Sequence, residues 1–164
     1  MRNEKILIVD DSKEIRNILS TFLKEEGFEV YTAENGKKAL DLTKEKVIDL
    51  IITDIRMPEM DGSQLTKKMK EERPRIGIII MTAYTSIYTE GDIRKIGADD
   101  YISKPFEFAD MSEKIERVLF QMKSLNGSFI FFSFIDAKPR SFLNAMFIFS
   151  VNSSSIVCEF CFIE

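Results

Sequence analysis

No histidine occurs anywhere in the 164 residues. That excludes a Ser-His-Asp triad, a histidine-ligated metal and a phosphohistidine borne by this polypeptide, so any imidazole chemistry must come from a partner. Cysteine is nearly as scarce: Cys158 and Cys161 stand together in "CEFC". A single C-x-x-C has the form of a redox pair or half a zinc site, but no second ligand pair exists and no βαβ pattern surrounds it. There is no long basic block and the net charge is −4, which argues against nonspecific nucleic-acid binding; no direct nucleic-acid partner is expected. No apolar run reaches the ~18 residues of a membrane span. Arg2, Glu4 and Lys5 lead straight into a short strand rather than a signal-like segment. The expectation is a cytoplasmic protein without a membrane span. What remains, 45% apolar and 30% charged residues, is the balance of a globular chain with one ordinary domain plus a little more.

The stretch "KILIVDDS", residues 5–12, drives an apolar β-branched run into two adjacent carboxylates, Asp10 and Asp11. Four other strand candidates follow: "EVYTA" (29–33), "DLIITD" (49–54), "IGIIIMT" (76–82) and "DYIS" (100–103). The runs at 6–9 and 78–81 are apolar without alternation, as parallel strands covered on both faces are. Helical patterns lie between them. Ile15, Ile18, Leu19, Phe22 and Leu23 form an i, i+3, i+4, i+7, i+8 stripe, capped by Ser12 or Asp11 and ended by Gly27. Residues 36–46, 63–72 (stopped by Pro74) and 86–96 make three more helices, and Met111, Ile115, Val118, Leu119 and Met122 mark a fifth. Strands alternating with helices read as an α/β fold, a flavodoxin-like doubly wound five-stranded parallel sheet of order 2-1-3-4-5 with five helices.

In such sheets a site lies beyond the carboxyl ends of the strands, at the switch point. Asp10 and Asp11 close the first strand, Asp54 the third and Thr82 the fourth, while Lys104 follows the fifth. Three carboxylates at close range call for a cation or shifted pKa values. An oxygen-rich acidic cluster with few ligands suits Mg²⁺, which keeps waters and binds phosphate oxygens. Lys104 adds a mobile positive charge and Thr82 a hydroxyl donor. Together these are the parts of an aspartyl-phosphate site. Taken singly, each residue has a plainer reading: a helix cap at Asp10–Asp11, a turn at Asp54, a β-former at Thr82, half-buried packing at Tyr101, a solvated charge at Lys104.

"ILIVDDS", "DLIITDIRMPEMDG", "IIIMTA" and "DYISKPF" together resemble the motif set of response-regulator receiver domains of two-component signalling, over about residues 4–123. Stand-alone sporulation-phosphorelay receivers and nitrogen-regulator-type receivers are the most similar subtypes. The resemblance implies that Asp54 is the phosphoacceptor. It implies Mg²⁺ held by Asp11 and Asp54 directly, by Asp10 mainly through water and by the backbone carbonyl of Arg56. Thr82 and Lys104 contact the phosphoryl group, and the small Ala83 gives it access. Thr82 and Tyr101 form the switch, and the Lys104–Pro105 bond is cis. The donor is a sensor histidine kinase or a histidine phosphotransfer protein. Modification shifts a population of pre-existing states and alters a surface for a downstream protein target. That surface is the face of strand 4, helix 4, strand 5 and helix 5, through which a homodimer is also expected. Arg56 and Tyr84, each two positions beyond a site residue, are placed to obstruct attacking water and slow self-dephosphorylation. The chain is thus expected to act as a phosphoacceptor rather than as an enzyme with an external substrate.

Two other classes share parts of this pattern. A haloacid-dehalogenase-type phosphatase carries its nucleophile on the first strand in a D-x-D arrangement, whereas this chain has "VDDSK". A flavin-mononucleotide binder needs a phosphate-cradling loop after the first strand, where Asp10 and Asp11 would repel the phosphate.

Composition changes after Lys123. Residues 125–164 hold nine of the 14 phenylalanines and only five charged residues. The expected division is a receiver domain over 1–124 and a Phe-rich C-terminal tail over 125–164. The tail shows no helix-turn-helix, Walker loop or catalytic motif, so no output domain is recognisable. Its runs "FIFFSFI" and "FLNAMFIFSV", split by "DAKPR", suit a β-hairpin, sheet extension or dimerisation. The competing expectation is a non-native reading frame, since Phe, Ile, Ser and Asn enrichment matches translation of AT-rich DNA.

Overall fold

The computed structural model describes residues 2–83, 90–124, 146–152 and 155–161. The chain divides into two compact units, Met1–Met122 and Lys123–Glu164. In the first, five strands, β1 (Lys5–Val9), β2 (Glu29–Ala33), β3 (Leu50–Asp54), β4 (Gly77–Thr82) and β5 (Asp100–Ser103), form one sheet. The order is β2-β1-β3-β4-β5 and every pairing is parallel. The helices are α1 (Lys13–Glu25), α2 (Gly36–Glu45), α3 (Gly62–Glu72), α4 (Glu90–Ile96) and α5 (Phe108–Ser124). The expected fold class and strand order are therefore present.

The unbroken apolar runs of β1, β3 and β4 are explained by burial on both faces. Ile6, Ile8, Leu50, Ile52, Ile79 and Met81 point to one side, onto Leu19 and Leu23 of α1 and Met111, Ile115 and Val118 of α5. Leu7, Val9, Ile51 and Ile78 point to the other, onto Ala39 of α2 and Leu65 and Met69 of α3. Alternate residues of one strand thus serve two cores, as the strand's period of two requires. Ile55 and Ile80 pack on Ile93 of α4 in a smaller third cluster.

The helices begin where the sequence supplies caps. Ser12 Oγ accepts from Ile15 N, Asn35 Oδ1 from Lys38 N, and Asp61 with Gln64 makes a capping box. Gly27, at φ 93°, turns the chain out of α1 in a conformation that disfavours other residues. One expected core residue is misplaced by the stripe: Ile18 is 55% exposed. At 100° per residue it lies farthest from the centre set by Leu19 and Leu23, while Phe22 stays covered by stacking on Phe108 at 4.5 Å. Strand ends also differ slightly. β1 stops at Val9 because the Asp10 carboxylate turns to accept from Ser12 N. α4 is described from Glu90, so the first part of its expected span, 86–89, lies outside the described residues.

In the second unit β6 (Met146–Asn152) pairs antiparallel with β7 (Ser155–Cys161). This pairing uses the part of "FLNAMFIFSV" from Met146 on and the segment that follows it, and is local in sequence with little loop-closure entropy to overcome. The "FIFFSFI" run lies outside the described residues. No helix among the described residues is long and apolar enough to cross a membrane.

Candidate functional site

Parallel pairing in register brings the carboxyl ends of four strands to one edge. Asp54 ends β3 opposite Met81, and Thr82 ends β4 opposite Ser103. Ile55 N donates to Met81 O at 3.0 Å and Lys104 N to Thr82 O at 2.7 Å, which continues the ladder into the loops beyond.

At this edge one ammonium bridges two carboxylates. Lys104 Nζ donates to Asp10 Oδ2 at 2.8 Å and to Asp54 Oδ1 at 2.5 Å. The remaining oxygens are also engaged. Asp10 Oδ1 accepts from Ser12 N at 2.9 Å and Asp54 Oδ2 from Arg56 N at 2.8 Å. Asp10 is only 1% exposed. Burial presses the Lys104 pKa downward, but the two carboxylates outweigh it and hold the ammonium above its usual value.

Asp11 is exposed next to this cluster. Arg16, from α1, donates one guanidinium nitrogen to the carbonyls of Asp10 and Asp11 at 2.6 and 3.0 Å. The loop that carries the acidic pair is thereby fixed through its backbone. Thr82 is fully buried and Ala83 is exposed beside it. The Lys104–Pro105 peptide is cis. Arg56 has its side chain exposed, and Tyr84 lies outside the described residues.

Tyr101, in β5, is half-buried against the Ile55, Ile80 and Ile93 cluster. Lys114 Nζ stands 5.6 Å from its ring centroid and 3.1 Å from Asp100 Oδ1, and Arg117 pairs with the same carboxylate. Burial would raise the Asp100 pKa, but Arg117, the Tyr101 N–H and Lys114 hold it below the usual carboxylate value. A cavity of about 310 Å³ beside Tyr101 is lined by Pro105, Phe106, Lys114 and Arg117. A larger one, about 380 Å³, lies by β2 and α2, and Arg16 alone of the groups above borders it. Asp10 is buried and the Asp54 side chain keeps only 13% exposure, so of the three acids Asp11 is the exposed one.

The sequence pattern names Asp10, Asp11, Asp54, Thr82 and Lys104, and the fold brings them to one edge. It does not reveal Arg16, because a helical arginine that bonds loop carbonyls leaves no periodic trace. It also misses the contact of Asn35 with Glu59, which joins two loops 24 residues apart.

No three His, Cys, Asp or Glu side chains among the described residues converge as a ready-made metal cage. A hydrated Mg²⁺ needs less: one or two carboxylates, a carbonyl and several waters. The donors here are all hard oxygens, and an ammonium already placed between two of the acids shows that the site favours positive charge. The residues fit such an ion.

The response regulator receiver domain family model matches residues 6–116. Sporulation initiation phosphotransferase F of Bacillus subtilis is 37% identical over 119 residues, 73% of this chain and 96% of that protein. Regulatory protein AtoC of Escherichia coli is 40% identical over 121 residues, 74% of this chain but only 26% of AtoC. The chain thus spans about a quarter of the length of such longer relatives. Among solved structures, a CheY-like receiver domain from Methanospirillum hungatei superposes with a TM-score of 0.71 at 32% identity, over 76% of this chain and 99% of that one. The response regulator TrrA of Thermotoga maritima, solved in complex with Mg²⁺-BeF, gives 0.65 at 36% identity, over 70% of this chain and 98% of that one. With the parallel five-stranded order and the edge cluster in place, these matches show that the chain belongs to the response regulator receiver domain family, a family of phosphoacceptor signalling domains.

Proposed function

We propose that Asp54 accepts a phosphoryl group from a partner's phosphohistidine and that the resulting aspartyl phosphate switches a protein-interaction surface. The observation that carries this is the Lys104 ammonium shared by Asp10 and Asp54 at the mouth of the sheet. An Asp54 carboxylate oxygen attacks phosphorus in line. The new O–P bond forms as the N–P bond breaks, and the electron pair returns to the partner's imidazole nitrogen, which takes up a proton. The partner must supply that imidazole, because this chain has none. A sensor histidine kinase or a histidine phosphotransfer protein is the donor.

Lys104 follows the charge as it moves from the carboxylate to the phosphoryl oxygens, and the buried Thr82 hydroxyl donates to one of them. Ala83 leaves room for the group. Mg²⁺, when bound by Asp11, Asp54 and the Arg56 carbonyl with Asp10 behind a water, supplies charge neutralisation at those oxygens. As Thr82 moves toward the phosphoryl group, Tyr101 turns inward and remodels the α4–β5–α5 face. That face is read by a downstream protein or by a second copy of this chain. Residues 1–124 act as the receiver, 125–164 form a Phe-rich C-terminal tail, and the chain acts as a phosphoacceptor without turnover of an external substrate.

The test is mass spectrometry of the full chain after incubation with acetyl phosphate and Mg²⁺. One phosphoryl group on the peptide containing Asp54, lost in Asp54→Asn and without added metal, supports the reading. Labelling undiminished in Asp54→Asn overturns it. Turnover of phosphate esters or bound flavin would favour the two rival classes.

A further inference from the structure

The loop from β3 to α3 carries Arg56, whose N–H holds Asp54 Oδ2. Two glycines mark how tightly it is seated. A Cβ on Gly62 would lie 2.1 Å from the Asp54 carbonyl oxygen, and one on Gly36 would lie 2.7 Å from Met60 Cγ and 2.8 Å from Met60 O. Gly36 N donates to that Met60 carbonyl at 3.2 Å, so the loop also rests on the first turn of α2.

Within this loop Glu59 has φ 66°, and among the described residues it is the sole non-glycine with positive φ. A side chain in the left-handed region persists where its surroundings hold it there. Two contacts hold Glu59: Met60 N donates to Pro58 O at 2.8 Å across it, and its side chain is held by Asn35, which is 3% exposed. The Asn35 side chain is used at both ends: Oδ1 caps α2 by accepting from Lys38 N, and Nδ2 donates to Glu59 Oε1, each at 2.9 Å. A buried amide fixed by its cap therefore presents a donor at one defined point, and the Glu59 carboxylate takes it. A hydrogen bond to an ionised acceptor is the stronger kind.

We infer that Glu59 is a positioning residue for phosphoryl transfer. Through Asn35 it holds the β3–α3 loop so that the Arg56 N–H stays on Asp54 Oδ2 and keeps that carboxylate set for Mg²⁺ and the phosphoryl group. This rests on the assignment of Asp54 as phosphoacceptor. Glu59 touches none of the reacting atoms and acts through the backbone of Arg56.

Phosphorylation by acetyl phosphate and the heat of Mg²⁺ binding are measured on the full chain, with thermal unfolding alongside. Glu59→Ala is expected to slow labelling and weaken Mg²⁺ binding, each about three- to tenfold, the scale of one lost hydrogen bond. Glu59→Gln keeps an acceptor oxygen and stays near the parent. Glu59→Gly relieves the backbone without restoring the bond, so its stability recovers while its labelling stays slow. Asn35→Asp sets two carboxylates face to face and behaves like Glu59→Ala. Combining Asn35→Asp with Glu59→Gln reverses donor and acceptor and recovers labelling. Ala and Gly variants that label and bind Mg²⁺ like the parent, or that differ from it in stability alone, overturn the inference while leaving Asp54 in its role. A parent that labels elsewhere than Asp54 removes the reading beneath it, and the calorimetric arm then judges the loop clamp separately. If the parent neither labels nor binds Mg²⁺, both fall.

Discussion

Replacing Lys104 with methionine removes the charge that two acids share and keeps most of the stem's volume. The two carboxylate oxygens on its ammonium, at 2.8 and 2.5 Å, can be no more than about 5 Å apart. With an effective dielectric of about 20, two unit charges at that distance repel by about 3 kcal/mol. Asp10 also loses its counter-charge while 1% exposed. Breaking a buried pair by deleting one partner destabilises by about 3–5 kcal/mol. The lower end applies, because the Lys104 and Asp54 side chains keep 18% and 13% exposure. Lys104→Met should therefore lose about 3 kcal/mol, or about 10 °C in melting temperature for a domain of this size. The assay is urea unfolding followed by circular dichroism, with chelator present so that no divalent ion substitutes for the ammonium. Adding Asp54→Asn to Lys104→Met removes the second acid and should recover about 2 kcal/mol, whereas Asp54→Asn alone should change stability little. A Lys104→Met protein within about 0.5 kcal/mol of the parent, or no recovery in the double variant, refutes the shared-charge account.

Gly62→Ala puts a methyl group against the Asp54 carbonyl, where only backbone can move aside; a loss of about 2–3 kcal/mol with slower labelling is expected by denaturation and phosphorylation assay. Asp100, held below its usual range by Arg117, the Tyr101 N–H and Lys114 against burial, contributes stability that is present at neutral pH. That contribution disappears as pH falls from the unfolded-chain value near about 4 through the lower folded-state value, and acid titration of Asp100→Asn should lack this component. Leu19→Ala, at a site 1% exposed, should cost about 3 kcal/mol in urea, and Phe108→Ala, at 43% exposed, only about 1 kcal/mol through its stack on Phe22. The phosphorylated protein with Arg56→Ala and Tyr84→Ala should lose its label faster than the parent; an unchanged decay rate removes these two side chains as shields.

The sheet is readable because burial on both faces fills the middle of β1, β3 and β4 with apolar side chains, Thr53 being the buried polar exception. The runs at 6–9 and 78–81 announce themselves, and the polar residues after them, Asp10 and Thr82, mark where the strands end although both stay buried. The same logic made Asp54, Thr82 and Lys104 readable, since each stands where its strand stops. The stripe on α1 was less exact. Periodicity gives the face but not its width, so Ile18 was counted in although the helix turns it toward solvent. Contacts that pass through backbone atoms left no mark in the pattern. Arg16 serves two carbonyls, and the Asn35–Glu59 side-chain contact, between loops 24 residues apart, has no spacing that would announce it. The β6–β7 pairing is open to several partners in the sequence, because short apolar runs in a charge-poor tail carry no register signal of their own.

The ammonium that joins Asp10 to Asp54 comes from a residue 94 positions after the first and 50 after the second. During synthesis, then, the ribosome delivers both acids long before their counter-ion. A nascent chain whose fifth strand is still inside the exit tunnel carries two acids without the ammonium that joins them. The charge balance of this edge is therefore completed only with the last strand of the sheet, and the folding of the two acids into it waits on the chain's later half.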